Sequence, residues 1–176
     1  FNAAFVPQFA RHMGDGGLDG ARRFAEEVLS VFVVTLFLFV TILQISMPFV
    51  MYGFAPGFVD DPERFDLAVE LARITFPYLL FISLVSQLGG ILNALSRFAA
   101  AAATPILLNL CLIAALLGLA PFTETPGHAL AWGVAVAGVA QFVWLVVACN
   151  RAGFVLRLRC PRLTPRVKRL LWLMLP

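Results

Sequence analysis

Long apolar stretches alternate with short polar connections along most of this chain. A helix needs about 20 apolar residues to cross the hydrocarbon core of a bilayer. Four stretches meet this requirement, at about residues 28–51, 71–95, 99–120 and 129–149, and a further apolar pattern begins at 170–176. The pattern predicts an all-α, polytopic transmembrane helix bundle with four complete spans and partial helices on either side.

The remaining segments are predicted to be connections within one transmembrane domain that covers residues 1–176. The segment "SRFAAAAATP" is expected to be the loop between the second and third spans. Phe1–Phe9 is expected to be the tail of an earlier span or a short interfacial helix. Because the chain starts without methionine and stops inside an apolar pattern, we expect it to be a piece of a longer membrane protein.

The composition supports the membrane class. Of the 176 residues, 61% are hydrophobic and 13% are charged, and the mean hydropathy is +0.90. A soluble domain carries about a quarter charged residues. No basic stripe is interleaved with aromatic residues, so we expect no nucleic-acid partner and expect contact with membrane lipids instead.

Basic residues are distributed unevenly between the two sides of the predicted bundle. Of the 13 lysines and arginines, Arg64 and Arg73 fall on one side and the other eleven on the opposite side. Cytoplasmic connections of membrane proteins carry such an excess. We therefore predict that the basic loop 150–169 and "SRFAAAAATP" are cytoplasmic and that "DDPERFD" and "TETPGH" face outward. The basic loop either sets this topology alone or also contacts anionic lipid head groups.

The second predicted span contains more polar residues than a helix surrounded by lipid needs. Placed on a helix at about 100° per residue, its small and polar side chains form one stripe. The members of this stripe are Ser83, Ser86, Gly90, Asn93 and Arg97. The opposite, apolar face is expected to meet lipid and consists of Phe81, Leu84, Leu88, Ile91 and Leu95. The stripe is expected to pack against other helices or to line a water-filled cavity.

Two interpretations of the polar residues stay open. Close helix packing alone explains Ser86 and Gly90, because small residues let two backbones approach. An amide is costly to bury without a partner, and Arg97 either anchors the helix at the interface or binds phosphate. We therefore predict, as a hypothesis, a substrate path that these side chains line. Its members are Asn93, Arg97, Ser86, Gly90, Gln87 and, on the third span, Asn109.

Helix-breaking residues predict a change of direction in the second span. Pro77 lacks a backbone donor and predicts a kink near the outer end. Gly89 and Gly90 predict a second flexible point. Such hinges are typical of a moving transporter, although packed bundles also tolerate them.

Signs of catalytic or metal chemistry are missing from the sequence. Cys111, Cys149 and Cys160 have no paired spacing, and His128 is expected to be a solvated loop residue. No Ser-His-Asp set, HExxH, phosphate loop or CxxC pair is present. We expect no metal, no cofactor and no enzymatic activity, which favours a conduit or carrier. Trp144 is a candidate interfacial residue.

Four segments occur in an order that is typical of one transporter family. They are "FNAAFVPQF", "APGF", "RITFPYLLFISLVSQLGGILNALSRFAAAAATPILLNL" and "ALAWGVAVAGVAQFVW". Through them the chain resembles the MurJ (MviN) family of lipid II flippases, which belongs to the MOP exporter superfamily. The block from Arg73 to Leu110 is the most specific part, and "LWLMLP" is similar to the entry into the family's seventh span.

The resemblance implies a protein of fourteen helices, arranged as two six-helix lobes plus two extra helices. This chain would supply the end of the second span and spans three to six of the first lobe. The resemblance implies that the protein moves lipid II, an undecaprenyl-pyrophosphate-linked peptidoglycan precursor, across the bacterial inner membrane by alternating access. The partners implied are this lipid and the remainder of the same chain. The alternatives are another MOP-type exporter for polysaccharide-lipids or drugs, a non-transporting membrane scaffold subunit, and an enzyme acting on lipid carriers.

Overall fold

The computed structural model describes residues 2–58, 60–157, 161 and 164. All regular structure in these ranges is helical, which confirms the predicted all-α class. The helices are α1 (Asn2–Ile45), α2 (Met47–Phe54), α3 (Pro62–Thr75), α4 (Tyr78–Ala94), α5 (Phe98–Ala102), α6 (Thr104–Gly118) and α7 (Pro126–Arg151). Single 3₁₀ turns follow α2 at Pro56–Phe58 and α6 at Ala120–Phe122.

Four helical segments of the described ranges have the length and apolar composition to cross a membrane. They are Ala4–Ile45, Pro62–Ala94, Phe98–Gly118 and Pro126–Arg151. Each contains most of one predicted span, so the four predicted spans are confirmed. The predicted further span at 170–176 lies outside the described residues.

The first of these segments is not one straight rod. Gly17 has φ 60° and ψ −161°, values that lie outside the helical region, and it divides α1 into two parts. The two parts fold against each other, since the Phe5 and Phe24 rings stack with centroids 5.7 Å apart. Only glycine adopts such a backbone conformation without strain. The segment at Phe1–Phe9, expected to be a tail or an interfacial helix, is therefore helical from Asn2 and belongs to the protein core.

The alanine-rich run is helical, as the predicted third span at 99–120 requires, and "SRFAAAAATP" is therefore not a loop over its whole length. Residues Phe98–Ala102 form α5, and α6 begins at Thr104. Alanine has the highest helix propensity of all residues, so the run "AAAAA" continues the third span toward α4. The irregular connection between α4 and α5 shrinks to residues 95–97.

The helices pack in an up-and-down order around a core shared by α1, α4 and α7. The fully buried side chains of this core include Phe9, Phe24, Ile91 and Leu145. Arginines from several elements meet at one end of the bundle, which we call the basic end and define by Arg22, Arg97, Arg151 and Arg157. Arg73 lies at the other end, where its carbonyl accepts a hydrogen bond of 2.8 Å from the Gln44 amide.

Glycines of α7 allow its neighbours to approach closely. A Cβ atom on Gly133 would lie 2.8 Å from the Ala115 Cβ of α6. On Gly138 it would lie 2.8 Å from the Tyr78 ring of α4. Small residues at such crossings are how helices in a bilayer gain van der Waals contact, and they place α7 in the centre of the bundle.

Candidate functional site

The C-terminal end of α4 carries two of the predicted site residues. The helix ends in a Schellman motif, in which the Arg97 amide donates to the Leu92 carbonyl at 2.8 Å and the Ser96 amide donates to the Asn93 carbonyl at 3.0 Å. Ser96 takes the left-handed conformation that this motif requires, with φ 59°. Asn93 and Arg97 are both exposed. This turn therefore brings an amide and a guanidinium to the surface of the basic end.

A groove of about 610 Å³ opens beside this turn. It lies between the α4–α5 connection and the C-terminal turns of α7. Arg97 and Arg151 line it from opposite helices, and the Trp144 ring forms part of its wall. Most of the other lining residues are alanine or larger apolar residues. Asn93 does not line the groove, so the two exposed residues of α4 have different surroundings.

The rest of the predicted stripe is less open. Ser83 and Ser86 are half-buried, and Gly90 is buried. The Ser83 hydroxyl donates to the Leu79 carbonyl of its own helix at 2.7 Å, as serine commonly does within membrane helices. The stripe therefore changes along its length from a packed part to the exposed end at Asn93 and Arg97.

The prediction that the opposite face of α4 meets lipid is wrong. Leu84, Leu88 and Ile91 are between 0% and 4% exposed. They pack into the space between α1 and α7. The apolar pattern could not separate the two cases, because a protein neighbour and a lipid tail are equally apolar surroundings.

Gln87 is fully buried between α4 and α1. Its side-chain amide donates to the Ala25 carbonyl at 3.4 Å, and among the described residues its Oε1 atom has no hydrogen-bond partner. A cargo cannot reach this side chain in the present conformation. The contact with α1 accounts for one of the two polar groups of Gln87.

The helix is interrupted at Pro77, where the sequence predicts a kink. Residues 76–77 separate α3 from α4, and the next amides bond only three residues back, from Leu79 to the Phe76 carbonyl at 3.0 Å. In contrast, α4 runs without a break through Gly89 and Gly90. A Cβ atom on Gly89 would meet the Ala101 Cβ at 3.6 Å, which is an ordinary contact.

Asn109 lies apart from the other candidates. It is exposed on α6, a helix that packs mainly on α7. The described structure does not bring it to the exposed end of α4. Its part in a substrate path stays a prediction.

His128 is buried and not solvated as predicted. Its exposure is 7%, and its Nδ1 atom lies 2.9 Å from the Thr125 hydroxyl. Its Nε2 atom lies 3.5 Å from the Glu70 carboxylate of α3. The helix pair α3–α7 encloses a ring that the sequence alone placed in a loop. Within the described ranges, no group of three His, Cys, Asp or Glu side chains could hold a metal ion.

Sequence reasoning missed a second polar cluster at the basic end. Glu26 of α1 is only 2% exposed, and its carboxylate accepts a hydrogen bond of 3.2 Å from the Arg157 amide. Arg22 donates to the Gly153 carbonyl at 3.0 Å. These bonds attach the segment after α7 to α1. No sequence signal could have found this contact, because the donor is the backbone amide of Arg157, which lies 131 residues along the chain from Glu26.

The fold and the basic end together define the class of this protein. The bundle has several apolar spans, a basic end with exposed guanidinium groups, and a half-polar helix face. Guanidinium groups bind phosphate oxygens through strong charge-assisted hydrogen bonds. The chain is therefore a multi-pass helical membrane protein whose basic end can bind anionic groups.

Comparison with known proteins shows the family. The family described as "Lipid II flippase MurJ" matches residues 1–176. A probable lipid II flippase MurJ of Rhizobium tropici is 47% identical over the whole chain, and that of Rhizobium meliloti is 46% identical, also over the whole chain. The lipid II flippase MurJ of Burkholderia cenocepacia is 34% identical over the same extent. The chain belongs to the MurJ family, and it spans about 34% of the length of the two Rhizobium relatives.

Proposed function

We propose that this chain is part of a flippase that moves lipid II across the bacterial inner membrane by alternating access. The match of the family over all 176 residues carries this proposal. The curated relatives are named flippases. We extend this transport activity to the present chain and propose that it has no enzymatic activity. In alternating access, two lobes or helix bundles rock against each other around a central substrate site.

The exposed end of the polar stripe supports a contact with the cargo. Asn93 is exposed at the next-to-last position of α4. Its amide can donate to phosphate oxygens, which a pyrophosphate-linked lipid carries. We propose that Asn93, with Ser86 and Gly90 behind it, contributes to the inner vestibule of the path.

Substitution of Asn93 in the full-length protein, expressed from its own gene, tests this proposal. We expect Asn93→Ala to slow lipid II translocation by about tenfold, the usual effect of removing one charge-assisted hydrogen bond, at an unchanged protein level. Asn150→Ala is the matched control, since Asn150 is also an exposed asparagine and lies in the C-terminal turn of α7, at the same basic end of the bundle. Translocation by spheroplasts depleted of other flippases is the measurement.

Two results would contradict the two parts of this proposal separately. Normal translocation by Asn93→Ala, together with loss of translocation when the whole gene is removed, would show that α4 packs and does not form the path. No change on removal of the gene would contradict the flippase activity itself. Export of a drug or a polysaccharide-lipid in the same cells would then favour another exporter of the superfamily.

We also propose that the basic end faces the cytoplasm. Its support is the distribution of basic residues along the sequence, of which only Arg64 and Arg73 fall in segments predicted for the opposite side. In a variant whose native cysteines are replaced, we expect Asp60→Cys to react with a membrane-impermeant thiol reagent in intact cells and Arg157→Cys to react only after lysis. The reverse pattern of labelling would overturn this topology.

A further inference from the structure

The groove at the basic end has the shape and polarity of a lipid-binding site. Its volume is about 610 Å³, which is within the range of pockets that hold small ligands. Leu92, Val147 and Ala148 line it with apolar side chains, and Arg97 and Arg151 line it with two cations. A free ion would need only the arginines. An amphipathic molecule with an anionic head and an apolar tail uses both kinds of lining.

The charge of the groove is positive and uncompensated. No aspartate or glutamate lines it. Arg97 and Arg151 are exposed, and within the described ranges neither forms an ion pair. By comparison, Arg64 is paired with Asp61 at 2.9 Å. Two unpaired guanidinium groups in one groove are complementary to a phosphate group.

Trp144 fixes the wall of the groove. Its indole N–H donates to the Ala100 carbonyl at 3.0 Å, which joins α7 to α5 and holds the ring at the groove. Tryptophan is enriched at the height of the lipid head groups. This preference favours a position for the groove at the depth where a phosphate and the first methylenes of an acyl chain meet.

We propose that this groove binds an anionic glycerophospholipid of the surrounding bilayer. Arg97 and Arg151 hold the phosphate, and one acyl chain runs along Trp144 and Val147. The bilayer surrounds a membrane protein with such lipids in large excess, and a basic end attracts the anionic ones. This assignment gives Arg97 a ligand different from the cargo, and it does not depend on the transport activity.

Lipid titration of the purified protein tests the site. The protein as expressed from its own gene is transferred to detergent and titrated with phosphatidylglycerol or with phosphatidylcholine, and bound lipid is counted by native mass spectrometry. We expect a preference for phosphatidylglycerol that falls about fivefold in Arg97→Gln, about fivefold in Arg151→Gln and about 25-fold in the double variant. Arg73→Gln, which removes an exposed arginine at the other end, is expected to keep the preference.

Three further measurements separate lipid binding in the groove from a loss of folding and from binding of the cargo. Arg97→Lys with Arg151→Lys is expected to keep most of the preference, because the positive charges remain. An unchanged melting temperature of the double glutamine variant in phosphatidylcholine would show that it is folded. A full preference for phosphatidylglycerol in that folded variant would overturn the proposal. Loss of polyprenyl-pyrophosphate binding with an intact preference for phosphatidylglycerol would also overturn it and would assign the groove to the cargo.

Discussion

The ends of α4 and α7 lie side by side at the basic end and have the same backbone motif. In α7, the Phe154 amide donates to the Cys149 carbonyl at 2.9 Å and the Gly153 amide donates to the Asn150 carbonyl at 3.0 Å. This repeats the Schellman pattern of α4. The left-handed position is occupied by Gly153 with φ 76° in α7 and by Ser96 with φ 59° in α4.

The residue that follows the left-handed position separates the two ends. After α7 it is Phe154, which is 1% exposed and lies against the Phe9 ring with centroids 5.5 Å apart. Arg22 lies over the other side of this ring, at 5.7 Å. After α4 it is Arg97, which is exposed in the groove. One motif thus fixes a segment to the core, and the other presents an exposed cation at the groove.

Removal of the anchoring ring is expected to have the largest effect on this difference. Phe154→Ala deletes a buried aromatic side chain and is expected to lower the free energy of unfolding by about 3 kcal/mol. Phe98→Ala is the control, because Phe98 follows the α4 end but is 60% exposed. We expect this control to change the free energy by less than about 0.5 kcal/mol. Denaturant unfolding of the protein in detergent measures both values.

Equal effects of the two substitutions would contradict the comparison. It would mean that the α7 end is no more firmly attached than the α4 end. The hydrogen bonds from Arg22 and to Glu26 would then not hold the segment 153–157 against α1.

The second largest effect is expected from Gly153, the left-handed residue at the C-terminal end of α7. Gly153→Ala forces an L-residue into the left-handed region, which costs about 1–2 kcal/mol, and the stiffer unfolded chain offsets about 0.4–1 kcal/mol of this. We expect a net loss of about 1 kcal/mol in the free energy of unfolding. No atom would meet the added Cβ within 4 Å, so the loss reports backbone strain alone.

Gly118→Ala provides the matched control for this strain. Gly118 ends α6, has open space around it and does not have a positive φ. Alanine is the better helix former, so the control is expected to leave the stability unchanged or slightly higher. If both variants lost the same stability, the left-handed conformation of Gly153 would not be the cause.

The sequence predicts the spans well because their signal is local. An apolar run of about 20 residues is sufficient to identify a span, and the breaks at Pro77 and at Thr104 follow from proline itself. Propensity predicts the helix in "AAAAA", and this run accordingly lies at the start of the predicted third span, although the connection predicted before that span also includes it. The turn at Gly17 falls in "GDGGLDGARR", the polar connection predicted before the first span. The sequence does not show that a single residue outside the helical region makes the whole turn.

Contacts between distant segments account for what the sequence could not predict at the site. Helix periodicity places Asn93 on the same stripe as Gly90, but Gly90 is buried and Asn93 is exposed, so the exposure comes from the end of α4 and not from the period. The groove needs Arg151 and Trp144, which come from a helix two spans later, and no local pattern joins them to Arg97. The burial of Leu88 depends on which neighbour covers it, and hydrophobicity is the same for lipid and for protein.

The smallest expected effect comes from Ser96, the left-handed residue at the C-terminal end of α4. Ser96→Gly converts the α4 end to the residue type that the α7 end already has. Relief of the left-handed strain gains about 1–2 kcal/mol, and the added freedom of the unfolded chain removes up to about 1 kcal/mol. We expect a net gain of about 0.5 kcal/mol in the free energy of unfolding. Ser96→Ala retains the Cβ atom and its strain, and is expected to change stability by less than that gain. A stabilisation by alanine equal to that by glycine would show that the hydroxyl, and not the backbone of Ser96, limits the stability of this turn.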